Sequence, residues 1–300
     1  ITSSTLDIKN FKKLQKKILT FKPDYIFHLA AQALVKKSYN RPLLTWESNT
    51  LGTINLLETL RNYKKKCTVI IITSDKAYKN LEIKRGYNEN DILAGTDPYS
   101  ASKSCADIAT QSYIECFFKY SPVRIAIARA GNVIGGGDWS KDRFIVDCFK
   151  SWVKNKPVLI RSPNATRPWQ HVLEALNGYL KLAIKLNNNK KLNGQIFNFG
   201  PDKKNNYKVI DILKLIKKHW KDISWKIKKD NKLKETILLK LNSSKAKKNL
   251  GWRNVLTINQ TLELIIDWYK NYYFTNSKAN NSIINLTNKQ IEFYQRKIIK

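Results

Sequence analysis

Val69 to Ile72 are four consecutive β-branched apolar residues, and Thr73, Ser74, Asp75 and Lys76 follow without a break. Such a run reads as a strand buried on both faces, as in a parallel sheet covered by helices. In an open α/β sheet, ligands bind beyond the carboxyl ends of the strands, so a hydroxyl, an acid and a base at that edge stand where chemistry is done. Pro98 then opens a helical pattern in which Tyr99 and Lys103 lie four apart, on one face. An ammonium beside a phenol stabilises the phenolate and lowers its pKa, making Tyr99 a candidate general base. Taken alone, Y-x-x-x-K is common on solvated helix faces. Coupled to S-D-K at a strand end, it marks one site.

The rest of the chain repeats the strand–helix alternation. Tyr25 to Leu29, Val123 to Ala130 and Gln195 to Phe199 read as further strands, and a shorter one is expected near Ser224 to Lys228. A long helix is expected from Pro42, a helix opening at Asp142-Arg143, and others over Val172 to Leu186, Ser243 to Leu250 and Thr257 to Tyr273. The fold class is therefore α/β, a Rossmann-type doubly wound parallel sheet with a smaller α/β domain.

Three hundred residues at 42% hydrophobic suffice for a sizeable core. No apolar run approaches the roughly 20 residues of a membrane span, and no segment has the order of a signal peptide. A net charge of +32 suggests nucleic acid, but the lysines are spread along the chain among asparagines and isoleucines, and no nucleic-acid-binding signature accompanies them. Compositional bias on an ordinary enzyme accounts for the charge, and no nucleic-acid partner is expected. Cys67, Cys105, Cys116 and Cys148 lack C-x-x-C spacing, and the three histidines are not at ligand spacing. No metal site is expected, and a reducing cytoplasm fits best. Methionine is absent even at position 1, so the chain reads as a fragment or a processed product.

Around the central stretch stand T-S-D-K, D-P-Y-S-A-S-K, R-A-G-N-V-I-G-G-G-D-W and R-P-W-Q-H-V. In this combination the chain resembles the extended short-chain dehydrogenase/reductase family, and within it the CDP-glucose 4,6-dehydratases. The resemblance runs from about Leu6 to Tyr294. It implies NAD as cofactor, a nucleotide sugar as substrate and a hydro-lyase reaction serving deoxysugar biosynthesis for surface polysaccharide. Another nucleotide-sugar dehydratase or epimerase, or a truncated inactive homologue, is the alternative. The G-x-x-G-x-x-G turn of the family's first β-α-β unit is absent from these residues, so the chain resembles an N-terminally truncated member.

By resemblance the catalytic set is Ser74, Asp75, Lys76, Tyr99 and Lys103, with Asp75 as acid and Lys76 as base in the elimination. A plain ion pair between Lys76 and Asp75 is the competing reading. Asp7 is placed beside the cofactor's adenine, or else is a helix N-cap. Ala30, Ala31 and Gln32 follow a strand, where small residues let a ligand approach the backbone, and the family's H-L-A-A lies against the dinucleotide. Asn49 is implied to brace the backbone near the site, and Tyr99 and Lys103 to contact the cofactor. Asn132, Arg143 and Arg167 are implied to hold the substrate's phosphates, a task to which arginine forks are suited. His28 reads as a satisfied core residue. The expected domains are 1–134 with 172–199 for the cofactor, and 135–171 with 200–300 for the substrate. A homodimer or higher oligomer through the Pro42 and Tyr99 helices is the family's habit.

Overall fold

The computed structural model describes residues 1–202, 206–227, 238–274 and 280–299. The chain enters through α1 (Phe11–Phe21), whose first turn is closed by the Asn10 side chain accepting from the Lys13 amide at 3.1 Å. The first strand, β1 (Tyr25–His28), leads to the short α2 (Val35–Asn40) and to α3 (Pro42–Trp46). In place of one uninterrupted helix from Pro42, α3 runs into a wider π turn over Glu47–Leu51 and only then into α4 (Gly52–Arg61). Backbone angles stay helical through both junctions, so the axis continues while one turn is widened. That turn carries Asn49, which is buried.

Strand β2 (Cys67–Ile72) and the catalytic-motif helix α5 (Pro98–Tyr113) come next, with a second π turn at Ile114–Phe118 before β3 (Val123–Ala130). Two short strands, β4 (Val133–Ile134) and, after α6 (Phe144–Trp152), β5 (Val158–Ile160), precede β6 (Thr166–Arg167) and β7 (Gln170–His171). Helix α6 starts at Phe144 rather than Asp142, because Asp142 is left-handed at φ 62° and Arg143 is extended. The chain continues through α7 (Val172–Asn188), β8 (Ile196–Phe199), β9 (Tyr207–Lys208), α8 (Val209–His219) and β10 (Trp225–Ile227). It ends with α9 (Ser244–Leu250), α10 (Ile258–Phe274) and α11 (Asn280–Ile299). Lys228, to which the last strand was expected to reach, lies outside the described residues.

The main sheet has four strands in the order β1-β2-β3-β8, all parallel. Alternation along β2 sends Val69 and Ile71 to a layer with Leu56, Leu57, Leu60, Ile114 and Phe118, and Ile70 to the opposite layer with α7. Ala126, Ala128 and Ala130 of β3 face α7, where small side chains admit a close helix, and Gly178 lies so near the Phe199 ring that a Cβ would stand 2.4 Å from it. Ala246, Leu250 and Trp252 pack into this same layer. A separate core joins α6, α8 and α10 through Phe149, Trp152, Trp220 and Tyr269. With both faces covered, the sheet offers its carboxyl edge as the place for a site, and that edge faces the third core across a cleft.

Candidate functional site

At the end of β2 the ladder persists one step, the Thr73 amide donating to Ala128 at 2.9 Å, and the chain then tightens into a 3₁₀ turn over Asp75–Ala77. Ser74 initiates the turn: its Oγ accepts from the Lys76 amide at 3.2 Å and donates to Asp75 Oδ1 at 3.0 Å. Asp75 is 3% exposed, and its Oδ2 has no hydrogen-bond partner among the described residues. Burial raises its pKa above the usual carboxylate range, against the pull of Lys76, the Ser74 hydroxyl and Arg167. A carboxyl so placed holds a proton more tightly than a solvated one.

Helix α5 begins with Pro98 behind the Asp97 cap, whose Oδ1 accepts from the amides of Tyr99 and Ser100, both at 3.0 Å. This fixes Tyr99 at the first turn, where its phenol faces Ser74. Burial, and then Asp75, raise the phenol's pKa, while the Ser74 hydroxyl and Arg143 oppose the rise. The expected lowering by Lys103 is not found. The Lys103 ammonium turns instead to the Ile72 carbonyl at 3.2 Å, and burial lowers its own pKa to about 8.

A cavity of about 480 Å³ opens over this edge, within the size range of small-molecule sites. Ser74, Asp75, Lys76, Tyr99, Asn132, Arg143 and Arg167 all line it. Arg143 is held at 2.9 Å by Asp138, so its fork is directed before any anion arrives. Arg161, Trp169, Lys36 and Tyr39 line the cavity as well and were not among the expected site residues. Arg161 shares a segment with Arg167 and was within reach of the sequence pattern, whereas the short α2 bearing Lys36 and Tyr39 left no periodic trace. Lys36 pairs with Asp142 at 2.8 Å, joining α2 to the loop before α6.

Of the residues expected around a cofactor, Tyr99 lines that cavity, whereas Asp7, Ala30, Ala31, Gln32, Asn49 and Lys103 do not. Ala30 and Ala31 follow β1, and Asn49 holds the next residue at both ends: it accepts from the Gln32 amide at 2.7 Å and donates to the Gln32 carbonyl at 3.1 Å. The same amide nitrogen donates to Ser102 Oγ at 2.9 Å, so Asn49 ties the β1 edge to α5. Asp7 lies apart, exposed beside Lys9, and is not the cap of α1, a role that Asn10 takes. His28 is buried and bonded to Thr53 at 3.0 Å, with its pKa lowered to about 4 by burial and then by Lys103, as befits a neutral core histidine.

Solved structures with this fold are numerous. UDP-glucose 4-epimerase from Thermotoga maritima superposes with a TM-score of 0.79 at 22% identity, covering 89% of this chain and 84% of that one. dTDP-glucose 4,6-dehydratase from Bacillus anthracis, in complex with NAD, gives 0.73 at 21% identity over 89% and 78%. At those identities the likeness is one of fold. In sequence, CDP-glucose 4,6-dehydratase from Salmonella typhimurium is 42% identical over 272 residues, 88% of this chain and 75% of that protein. The profile of the GDP-mannose 4,6 dehydratase family matches residues 1–265. An S-D-K turn beside a Y-x-x-x-K helix on the carboxyl edge of a parallel sheet, together with these matches, places the chain in the GDP-mannose 4,6 dehydratase family of extended short-chain dehydrogenases/reductases.

Proposed function

We propose that the chain catalyses the NAD-dependent 4,6-dehydration of a nucleotide-diphosphate hexose, with CDP-glucose as the substrate. The observation that carries this reading is the convergence of Ser74, Asp75, Lys76 and Tyr99 on one cavity, with a buried Asp75 oxygen that no group among the described residues satisfies. The residues fit the nicotinamide side of a dinucleotide: Ala30 and Ala31 leave the β1 edge open, Asn49 stiffens it, and Lys103 brings a buried ammonium within one turn of Tyr99. NAD, when bound, supplies reversible redox chemistry at the sugar carbon that faces it.

The chain's own groups divide the proton transfers. Burial holds Tyr99 as the neutral phenol, so it must first ionise; as the phenolate it takes the proton of the C4 hydroxyl, and Ser74 beside it steadies the same oxygen. A ketone at C4 acidifies the C5 proton, which Lys76 removes. Asp75, held above the usual carboxylate range, delivers its proton to the departing C6 hydroxyl, which leaves as water. Arg143, Arg167 and Asn132 grip the diphosphate at the cavity wall. Elimination leaves a C5=C6 double bond; the hydride that the bound cofactor would have taken from C4 would be given back at C6 while Lys76 returns a proton to C5, so the net result is loss of one water and a 4-keto-6-deoxy sugar.

The reading extends to a cytoplasmic setting, consistent with four free cysteines and with the lack of any long apolar helix among the described residues. It also includes the two-domain division expected above, and a homodimer or higher oligomer through the helical run from Pro42 to Arg61 and α5, where Leu51 of the π turn and Ile108 of α5 are exposed. Incubation with CDP-glucose and NAD in deuterated water tests the chemistry. Mass analysis is expected to show loss of one water with deuterium gained at C5. Unchanged CDP-glucose in the presence of folded, NAD-bound protein would send the assignment to another nucleotide sugar.

A further inference from the structure

Behind the cavity, on the α5 side of the sheet, lies a fully buried polar knot that the reaction does not touch. Asp107 and Arg129 are 0% and 1% exposed and form a two-pronged ion pair, Nε to Oδ2 at 2.7 Å and Nη2 to Oδ1 at 2.9 Å. Asp107 is one turn past Lys103, on the helix face that carries Tyr99 and Lys103. Arg129 projects from β3, where its strand partner is Asn198 of β8.

Besides the Glu89 carbonyl, which accepts from Arg129 Nη1 at 3.0 Å, and Gln111, which donates to Asp107 Oδ1 at 2.8 Å, two residues close on this pair that bracket the S-D-K turn. Upstream, Thr73 Oγ1 donates to Asp107 Oδ2 at 3.1 Å. Downstream, the Tyr78 hydroxyl accepts from Arg129 Nη1 at 2.8 Å and donates to Asn198 Oδ1 at 2.7 Å, with the guanidinium 4.8 Å from the ring centre. Between the anchors lie only Ser74 to Ala77. Within that stretch the amides of Ala77 and Tyr78 bond to Ser74 and Asp75 carbonyls, and the Ala77 carbonyl accepts from Ser104 Oγ of α5 at 2.7 Å and from the Ala94 amide at 3.1 Å; the two flanking side chains are what tie the turn's ends to the Asp107–Arg129 pair beneath.

We propose that the Asp107–Arg129 pair, acting through Thr73 and Tyr78, is the positioning device that sets the Ser74–Asp75–Lys76 turn against Tyr99 on α5. The pair belongs to the helix through Asp107 and to the sheet through Arg129, so one bidentate contact fixes both halves of the site relative to each other. A buried ion pair is weak evidence for stability as such, since desolvation offsets its attraction. Its directional bonds to four elements account better for its presence. No partner in the network reaches the cavity, so its effect is on alignment and not on binding.

The inference rests on the functional reading above for its kinetic arm but not for its structural one. Tyr78→Phe removes the hydroxyl while keeping the ring on Tyr87 and on the guanidinium. Hydrogen exchange at the amides of Lys76, Ala77 and Tyr78 is expected to quicken by about ten-fold or more, with the amides of α5 unchanged. Water loss from CDP-glucose is expected to fall by about a hundred-fold in kcat, with KM within about two-fold, because a small misplacement of acid and base costs that much. Thr73→Val, which keeps the side chain's shape, is expected to act in the same sense from the other end. Unchanged exchange, or faster exchange with unchanged kcat, would overturn the proposal. If the turn loosens in both variants while the unaltered protein leaves CDP-glucose intact, the anchoring stands and the substrate assignment falls.

Discussion

Glu174 offers a quantitative test of how the C-terminal third is fastened to the sheet layer. It sits on α7, 1% exposed, and its Oε1 accepts from the amides of Val255 and Leu256, each at 2.8 Å. Oε2 accepts from the Tyr294 hydroxyl of α11 at 2.7 Å. Glu174→Ala strands three donors, two of them fully buried. At about 1–3 kcal/mol for each unsatisfied donor, reduced where the half-buried Val255 amide regains water, the loss comes to roughly 3–5 kcal/mol. That corresponds to a fall in Tm of about 5–8 °C for a chain of this size.

Glu174→Gln keeps an acceptor for both amides and turns an amide donor toward the Tyr294 oxygen, which can accept. It is expected to stay within about 1 kcal/mol of the unaltered protein. The two also separate in pH dependence. Burial raises the Glu174 pKa above its ordinary 4.5, so the folded state binds this proton more tightly than the unfolded state does. The contribution is therefore fully present below 4.5 and is lost as pH rises through the raised value, a loss the Gln variant does not show. Urea unfolding of the three proteins at pH 5 and pH 8 reads both effects. A Gln variant as damaged as the Ala variant, or an Ala variant costing under about 1 kcal/mol, would refute the fastening described here.

Other outcomes follow from the same packing. Gly178→Ala puts a methyl 2.4 Å from Phe199 in a close-packed layer and is expected to cost about 1–3 kcal/mol in chemical denaturation. Asn49→Ala leaves both backbone groups of Gln32 and the Ser102 hydroxyl without their partner. A loss of about 2–4 kcal/mol is expected, with a weakened response to NAD in thermal shift as its sign that the β1 edge has slackened. Among the thiols, Cys116 is exposed and Cys105 partly so, whereas burial raises the pKa of Cys67 and Cys148. A thiol reagent at pH 8 is expected to modify Cys116 first and to reach Cys67 and Cys148 only on unfolding, and equal rates at all four would contradict the burial described.

What the sequence by itself determined is whatever depends on neighbours along the chain. Val69 to Ile72 could only be a covered strand, Asp97-Pro98 could only open a helix, and the spacing of Tyr99 and Lys103 put them on one face. Those local rules were enough to locate Ser74, Asp75, Lys76 and Tyr99 together, because a parallel sheet brings every strand's carboxyl end to one edge. The π turn at Glu47–Leu51 escaped, since E-S-N-T-L carries ordinary helical residues and the widening is settled by what Asn49 meets across the site. Lys103 illustrates the same limit: its spacing from Tyr99 was legible, but its choice of the Ile72 carbonyl over the phenol was not. Arg129, one of two arginines in the otherwise apolar β3, found its meaning only when α5 crossed β3 and supplied Asp107. Likewise Lys36 and Asp142 meet although 106 residues apart, a pairing no local pattern encodes. Propensity and periodicity act over a few residues, whereas the partners of a buried charge are chosen by topology, and only the folded chain decides them.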